Sequence, residues 1–299
     1  QQMAAVRGNM DVAYQKASTV IRKHSMNIRG VEYNPWIDQS FFLIARSHFF
    51  KQDFNLAVLT FQYIINQYDS EIKYESKAWL AKTYHEMGQY ANAFQMLERL
   101  EKNHSDGLLD NERSRLFRLV YADHFSRQEQ YPQAIAQLNL AIELTRNRNE
   151  RARLTFITAQ MHQHSGDYGQ AQQTYARVLR MNPGFELAFQ SRIGMAMAYD
   201  PGEGGAGFIQ NELMRMLRDD KNRDFRDEIY FALASLSLRQ SKTEEAKEFL
   251  LMSTRVSEKN RLQKGRSFLA LGEIYFDIPD YLNAGNYYDS AMVYLPRGM

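Results

Sequence analysis

Residues 265–298 read GRSFLALGEIYFDIPDYLNAGNYYDSAMVYLPRG, and the rest of the chain repeats their pattern in less regular form. The spacing of large and small residues predicts two helices joined by a tight turn. We expect Gly272, which has no side chain, to let the second helix come close, and Tyr281 and Tyr288 to fill the gaps between helices. Pro296 then lies where a helix has ended. Counted from Gly265, the pattern occupies positions 4, 7, 8, 11, 17, 20, 24, 27 and 32, which are Phe268, Leu271, Gly272, Tyr275, Tyr281, Ala284, Tyr288, Ala291 and Pro296.

This spacing resembles that of the tetratricopeptide repeat (TPR), a unit of 34 residues that forms two antiparallel helices. Every residue of the motif has a packing role, so the motif predicts a scaffold and leaves its ligand open. We predict an all-α chain in which a single solenoid, a right-handed superhelix of antiparallel helix pairs, spans residues 1–299 with about seven repeats. The predicted repeats are 38–71, 74–107, 115–148, 152–185, 186–219, 227–260 and 265–298, and residues 11–26 form the second helix of a truncated repeat.

Two segments depart from the pattern. Residues 27–36 contain Gly30 and Asn34-Pro35, which predict a connection rather than an element. Repeat 186–219 is degenerate, because the glycine-rich segment 201–207 stands where a short turn is expected. Loops that cradle phosphate follow a strand and end in Gly-Lys-Ser/Thr, whereas this one joins two helices and has no lysine, so we interpret it as a surface turn. Because the array begins inside a repeat and stops soon after Pro296, we expect a fragment of a longer protein.

The composition limits the classes of function. With 37 basic and 35 acidic residues the net charge is +2, which argues against a general electrostatic footprint for nucleic acid or anionic lipid. The chain contains no cysteine, which excludes disulfides, thiolate catalysis and Cys-ligated zinc. No apolar run approaches the roughly 18 residues typical of a membrane span.

The sequence predicts no active site, no cofactor and no metal site. The seven histidines are scattered, and His162 and His164 have an i, i+2 spacing that places their rings on different faces of a helix. No Gly-x-Ser-x-Gly nucleophile elbow and no Ser/His/Asp set is recognisable. Paired acids such as Asp219-Asp220 fit helix ends, where such residues are routine. We therefore predict a protein without catalytic activity.

Function is then expected on the inner face of the solenoid, which first helices line at repeat positions 2, 5, 6, 9, 12 and 13. The mixture of Phe, Trp and Arg at these positions is typical of binding hot spots. The carboxylate clamp of chaperone-binding TPR proteins is absent, because its positions hold Phe42, Arg46, Trp79, Leu116 and Val120. The candidate partner-binding residues are Phe42, Arg46, Phe49, Phe50, Trp79, Lys82, His85, Asp123, Arg127, Phe156 and Gln160.

The N-terminal third shows a narrower resemblance. Segments 13–21, 23–26, 32–38, 49–54 and 72–75 read AYQKASTVI, KHSM, EYNPWID, FFKQDF and IKYE. Over about residues 11–110 these segments resemble the TPR lipoproteins of Bacteroidota type IX secretion and gliding motility. The resemblance implies a periplasmic adaptor, anchored to the outer membrane by a lipid outside this chain, whose protein partners are other subunits of the secretion machine. It would link the lipoprotein ring and the translocon.

Two alternatives stay open at this level. A glycan-binding lipoprotein of the starch-utilisation type also carries TPR helices, although it would need a larger region outside the repeats to bear sugar-stacking aromatics. A cytosolic TPR adaptor that binds peptides is the other alternative, which the missing carboxylate clamp makes less favourable.

Overall fold

The computed structural model describes residues 2–296, so Arg297 and Gly298, the last two residues of the seventh predicted repeat, lie outside the described residues. Fifteen α-helices make up most of the described chain, which forms two compact units, Gln1–Arg146 and Asn147–Met299.

Unit 1 consists of seven helices and one small hairpin. Helix α1 is longer than the predicted 11–26, because the helical pattern continues towards the N-terminus. Each of α2, α4 and α6 packs against the helix that follows it, and α4 also packs against α2 and α6. The elements are α1 Gln2–His24, β1 Asn27–Ile28, β2 Val31–Glu32, α2 Ile37–Phe50, α3 Phe54–Gln67, α4 Ile72–Glu86, α5 Tyr90–Ser105, α6 Asn111–Arg127 and α7 Tyr131–Leu144.

Unit 2 consists of eight helices and two short 3-10 helices. The glycine-rich segment begins with the 3-10 helix Pro201–Glu203 and then enters α11 through Gly204 and Gly205, both at positive φ. A second 3-10 helix, Asp220–Phe225, precedes α12. The α-helices are α8 Arg148–His164, α9 Tyr168–Arg180, α10 Phe185–Met197, α11 Ala206–Arg218, α12 Arg226–Arg239, α13 Thr243–Val256, α14 Arg261–Asp277 and α15 Tyr281–Tyr294.

The turn between the two helices of a pair has a common backbone geometry. One residue per turn adopts a left-handed conformation, and it is the fifteenth residue of each predicted repeat that starts at 38, 74, 115, 152 or 227. Glycine occupies two of these sites, where it adopts positive φ without steric cost. The residues and their φ angles are Gln52 (69°), Gly88 (70°), Glu129 (58°), Gly166 (79°) and Ser241 (59°).

Small residues allow the helices of a pair to approach, as in α14 and α15. The ring of Tyr288 packs so closely on Gly272 that an added Cβ would lie 2.7 Å from two ring carbons. Ala284 and Ala291 are buried on the facing side of α15. Tyr281, however, is 63% exposed and meets the ring of Phe276 edge to face, so the expectation that it fills an inter-helix gap was wrong. It stands in the first turn of its helix, where the α14 side chains no longer cover it.

The segment 27–36 is more ordered than predicted. It contains an antiparallel hairpin in which Ile28 pairs with Val31, joined by Arg29 and Gly30 at φ of 55° and 86°. Positive φ at both central residues is the geometry of a type I′ turn, which matches the twist of the flanking strands. The turn chemistry was overlooked because glycine follows arginine here rather than asparagine.

Candidate functional site

Four side chains on the first two helix pairs form what we call the cation–aromatic surface: Arg46 and Phe50 of α2, and Trp79 and Lys82 of α4. Residues four or three positions apart lie on one face of a helix, which brings each pair together. The Trp79 ring centroid lies 4.8 Å from Arg46 Cζ and 4.9 Å from Lys82 Nζ, so it has a cation near it from each helix. Phe50 meets Trp79 edge to face at 5.7 Å. These distances are typical of cation–π contacts.

Neither cation of this surface has an acidic partner. Arg46 and Lys82 make no ion pair or side-chain hydrogen bond with any residue that the structure describes, and Arg46 Nε is buried without an acceptor. Glu75, which interacts electrostatically with Arg46, is paired with Arg113 at 3.4 Å, and burial raises its pKa although both arginines lower it. A buried N–H without an acceptor is costly, so the guanidinium of Arg46 retains hydrogen-bonding capacity.

Two other arginines of unit 1, Arg118 and Arg127, are paired with carboxylates. Arg118 is 7% exposed and donates to both carboxylate oxygens of Glu101, at 2.6 and 3.0 Å. Arg127 donates to Asp123 at 2.9 Å and to Glu86 at 2.7 Å. Arg46, by contrast, makes no such pair within the described residues.

A groove of about 440 Å³ adjoins the surface and continues it towards α6. Trp79 and Lys82 line it together with the partly exposed Leu116 and Leu119. Asp123 and Arg127, already paired with each other, stand at its rim. On the other side, Arg46 lines a wider cleft of about 940 Å³. An apolar floor with unpaired cations beside it can hold an extended segment that carries both apolar and acidic side chains.

Three of the predicted binding residues are buried and belong to the core of unit 1. Phe42 is 7% exposed and packs on Phe61, and Phe49 is 8% exposed and supports Trp79 edge to face at 5.3 Å. His85 is 1% exposed. Their repeat positions also face the neighbouring helix pair, and in these three cases that contact buries almost the whole side chain.

His85 belongs to a buried polar chain between α4 and α6. Its Nε2 lies 2.9 Å from Nδ1 of His124, whose Nε2 lies 2.7 Å from the amide of Gln128. Burial, reinforced by His85, lowers the pKa of His124 to about 4. Burial tends to raise the pKa of Asp123, but His85 and Arg127 lower it further than burial raises it. The imidazole of His124 is therefore neutral at neutral pH, next to the ionised carboxylate of Asp123.

The two remaining predicted residues, Phe156 and Gln160, lie on α8 of unit 2. Both are half-buried, and Phe156 packs edge to face on Tyr175 at 5.4 Å. Burial raises the pKa of Tyr175 to about 12, and its hydroxyl donates to Gln163 at 3.0 Å. The structure thus brings together the predicted residues of unit 1 and gives these two a separate setting.

Leu116 and Leu119 were missed as groove residues, although the sequence carried a signal for both. They occupy positions 2 and 5 of the repeat that starts at residue 115, which are inner-face positions. Exposed apolar side chains on one face of the hairpin formed by β1 and β2 were also not predicted. The segment was interpreted as a connection, so the alternation of side chains along a strand was not considered there. Within residues 2–296, no group of three or more His, Asp or Glu could hold a metal ion, and none of the described helices is long and apolar enough to cross a membrane.

Comparison with known proteins supports the fold. The family described as tetratricopeptide repeat matches residues 79–107, within the second predicted repeat. No curated protein sequence matches the chain. The TPR resemblance inferred from residues 265–298 is therefore found independently in another part of the array.

Solved structures of TPR proteins resemble this chain over most of its length. A signal-transduction ATPase with numerous domains and a TPR sensor, from Pyrococcus horikoshii, has a TM-score of 0.62 at 15% identity; the match covers 98% of this chain and 48% of that one. The C-terminal part of a TPR repeat-containing protein from Cytophaga hutchinsonii has a TM-score of 0.58 at 13% identity, with 88% and 96% covered. A TPR protein from Parabacteroides merdae has a TM-score of 0.59 at 14% identity, with 87% and 94% covered. The prediction of an all-α, TPR-like solenoid is confirmed.

Proposed function

We propose that this TPR-like array is a protein-interaction scaffold without catalytic activity, and that the cation–aromatic surface of unit 1 holds an extended segment of a partner protein. The observation that carries the proposal is that Arg46 and Lys82, which make no ion pair within the described residues, lie 4.8 and 4.9 Å from the Trp79 ring centroid. A TPR-like fold supports protein binding in general. On this surface of unit 1, the charged groups of Arg46 and Lys82 are available to bind a partner.

The surface also suggests the chemistry of the segment. Arg46 and Lys82 make no ion pair within the described residues, although Glu75 lines the same cleft as Arg46 and interacts with it electrostatically. Their guanidinium and ammonium groups favour an acidic segment, because they bind carboxylates through charge-assisted hydrogen bonds. The floor formed by Leu116 and Leu119 favours an apolar side chain next to the acidic ones. Trp79, half-buried and held edge to face by Phe49, is already fixed in place, which lowers the entropic cost of binding.

The resemblance of residues 11–110 supports a cellular setting for this scaffold. We place the protein in the periplasm, anchored to the outer membrane, as an adaptor whose partners are subunits of a type IX secretion or gliding machine. This setting rests on the resemblance, and the binding surface rests on the geometry, so the two can fail separately.

A photo-crosslinking experiment tests both parts in cells that encode the chain. Phe50, 39% exposed, is replaced by the photoreactive residue p-benzoylphenylalanine, and Leu59, 63% exposed on α3, receives the same residue as a matched control. We expect adducts from position 50 and not from 59, and loss of those adducts when Arg46→Glu is added. Adducts with secretion-machine subunits support the cellular role, and adducts only with cytosolic proteins contradict it. Equal adducts from both positions, or adducts that survive Arg46→Glu, contradict the binding surface.

A further inference from the structure

The hairpin formed by β1 and β2 has one apolar face and one polar face. Ile28 pairs with Val31, and the N–H of Tyr33 donates to the carbonyl of Met26, which extends the same pairing. Because side chains alternate across a strand, Met26, Ile28, Val31 and Tyr33 lie on one face. All four are exposed, by 56, 55, 55 and 62%. No described neighbour covers this apolar face.

The opposite face makes the hairpin rigid. The carboxylate of Glu32 accepts hydrogen bonds from the hydroxyl of Ser25 at 2.5 Å and from the N–H groups of Met26 and Asn34 at 2.8 and 2.9 Å. The amide of Asn34 donates to the carbonyl of His24 at the end of α1. These bonds keep a hairpin of two-residue strands in one orientation, although such a short hairpin would be marginal by itself.

Three basic residues lie close in sequence to the apolar face. Arg22, Lys23 and Arg29 are exposed, and none of them makes an ion pair or side-chain hydrogen bond within the described part of the chain. Over residues 22–36, three basic residues and one acidic residue, Glu32, give a charge of +2, as large as that of the whole chain. The carboxylate of Glu32 is on the polar face and already accepts several hydrogen bonds.

We propose that the hairpin docks on a membrane surface that contains anionic lipids, with its apolar face in the headgroup region. Apolar side chains flanked by cations bind such surfaces through burial and charge together. Tyr33 and the neighbouring Trp36, 62 and 63% exposed, are the residue types that favour the membrane–water interface. A protein partner is less favoured, because stable protein interfaces use about 20–30 residues a side, far more than this face offers.

Vesicle binding of the full chain tests the proposal. The chain is mixed with vesicles of phosphatidylcholine and phosphatidylglycerol, or of phosphatidylcholine alone, and bound protein is recovered by flotation. The chain has two tryptophans, so in a Trp79→Phe background Trp36 reports insertion by a blue shift of its fluorescence. We expect binding to the mixed vesicles, weaker binding to phosphatidylcholine alone, and a loss of binding as salt is added.

Variants identify the surface. The double change Ile28→Ser with Val31→Ser should weaken partition at least tenfold, and each of Arg22→Gln and Arg29→Gln should weaken it roughly fivefold. Leu59→Ser, at an exposed apolar site on α3, is the matched control and should bind like the parent. Far-UV circular dichroism checks that each variant folds. No flotation, or undiminished flotation of the Ile28/Val31 variant, overturns the proposal. The proposal is also overturned if the parent chain self-associates without binding lipid and the Ile28/Val31 variant does not self-associate. A second copy of the chain would then cover the apolar face.

Discussion

Alanine substitutions at two glycines of the last helix pair are predicted to have opposite effects on stability. Gly272 lies inside α14 and Gly285 inside α15, so both gain about 1 kcal/mol of intrinsic helix preference when changed to alanine. Their surroundings differ. An added Cβ at Gly285 meets nothing within 4 Å, whereas at Gly272 it lies 2.7 Å from two ring carbons of Tyr288 and 3.2 Å from a third.

The magnitude follows from the size of that overlap. Carbon atoms in contact prefer a separation of about 3.5–4.0 Å, so the ring must move by about 1 Å to accept the new methyl group. Overpacking of this kind costs about 1–3 kcal/mol. After the gain in helix preference, Gly272→Ala should lower the free energy of unfolding by up to about 2 kcal/mol. Gly285→Ala should raise it by about 0.5–1 kcal/mol.

The assay must report on unit 2. Both tryptophans, Trp36 and Trp79, lie in unit 1, so their fluorescence serves as an internal reference that neither substitution should change. Hydrogen exchange of peptides from α14 and α15, followed by mass spectrometry, measures the local free energy of opening. Tyr288→Ala is then added to both variants as a control. Because it removes the overlapping ring, Gly272→Ala should become stabilising in this background. The reasoning is refuted if the two alanines shift stability in the same direction, or if the penalty at 272 persists without the ring.

Three further predictions concern unit 1, where urea denaturation followed by tryptophan fluorescence measures the free energy of unfolding. The pKa of His124 is lowered from 6.5 to about 4 in the folded chain. Between these two pH values the unfolded chain binds a proton at His124 that the folded chain does not bind. The free energy of unfolding should thus fall by up to about 3 kcal/mol as the pH drops from 6.5 to about 4. His124→Asn should reduce this dependence on pH, whereas His24→Asn, an exposed control, should leave it unchanged. Arg118→Lys should lower the free energy of unfolding by about 2 kcal/mol, since lysine cannot make the two-pronged pair with Glu101, and a loss below about 0.5 kcal/mol would contradict this. Glu129→Gly should raise it by about 0.5–1 kcal/mol, because glycine adopts the left-handed turn without strain; destabilisation would count against that account of the turn.

The fold class was accessible from the sequence because the information is local. The spacing of Leu271, Gly272 and Tyr275 within one helix, and of Ala284 and Ala291 within the next, reports which faces must pack, and it requires no knowledge of distant residues. The same holds for the turns, where a glycine such as Gly88 marks a left-handed residue at a fixed position. Tyr281 shows the limit of this reasoning, because a repeat position names a residue type and its burial depends on whether the neighbouring helix extends far enough to cover it.

The candidate site was only partly accessible. Repeat positions placed Arg46, Trp79 and Lys82 on one face, but the same rule also selected Phe49 and His85, which the neighbouring helix pair buries. Which cations find a carboxylate also depends on helices far apart in the chain, so the contrast between Arg46 and Arg118 exists only in three dimensions. The sequence by itself determined that helices pair in a TPR-like array, because packing periodicity is a local property. The tertiary structure decided which side chains remain unsatisfied or uncovered, on the cation–aromatic surface and on the hairpin, because burial and charge pairing are set by neighbours in space.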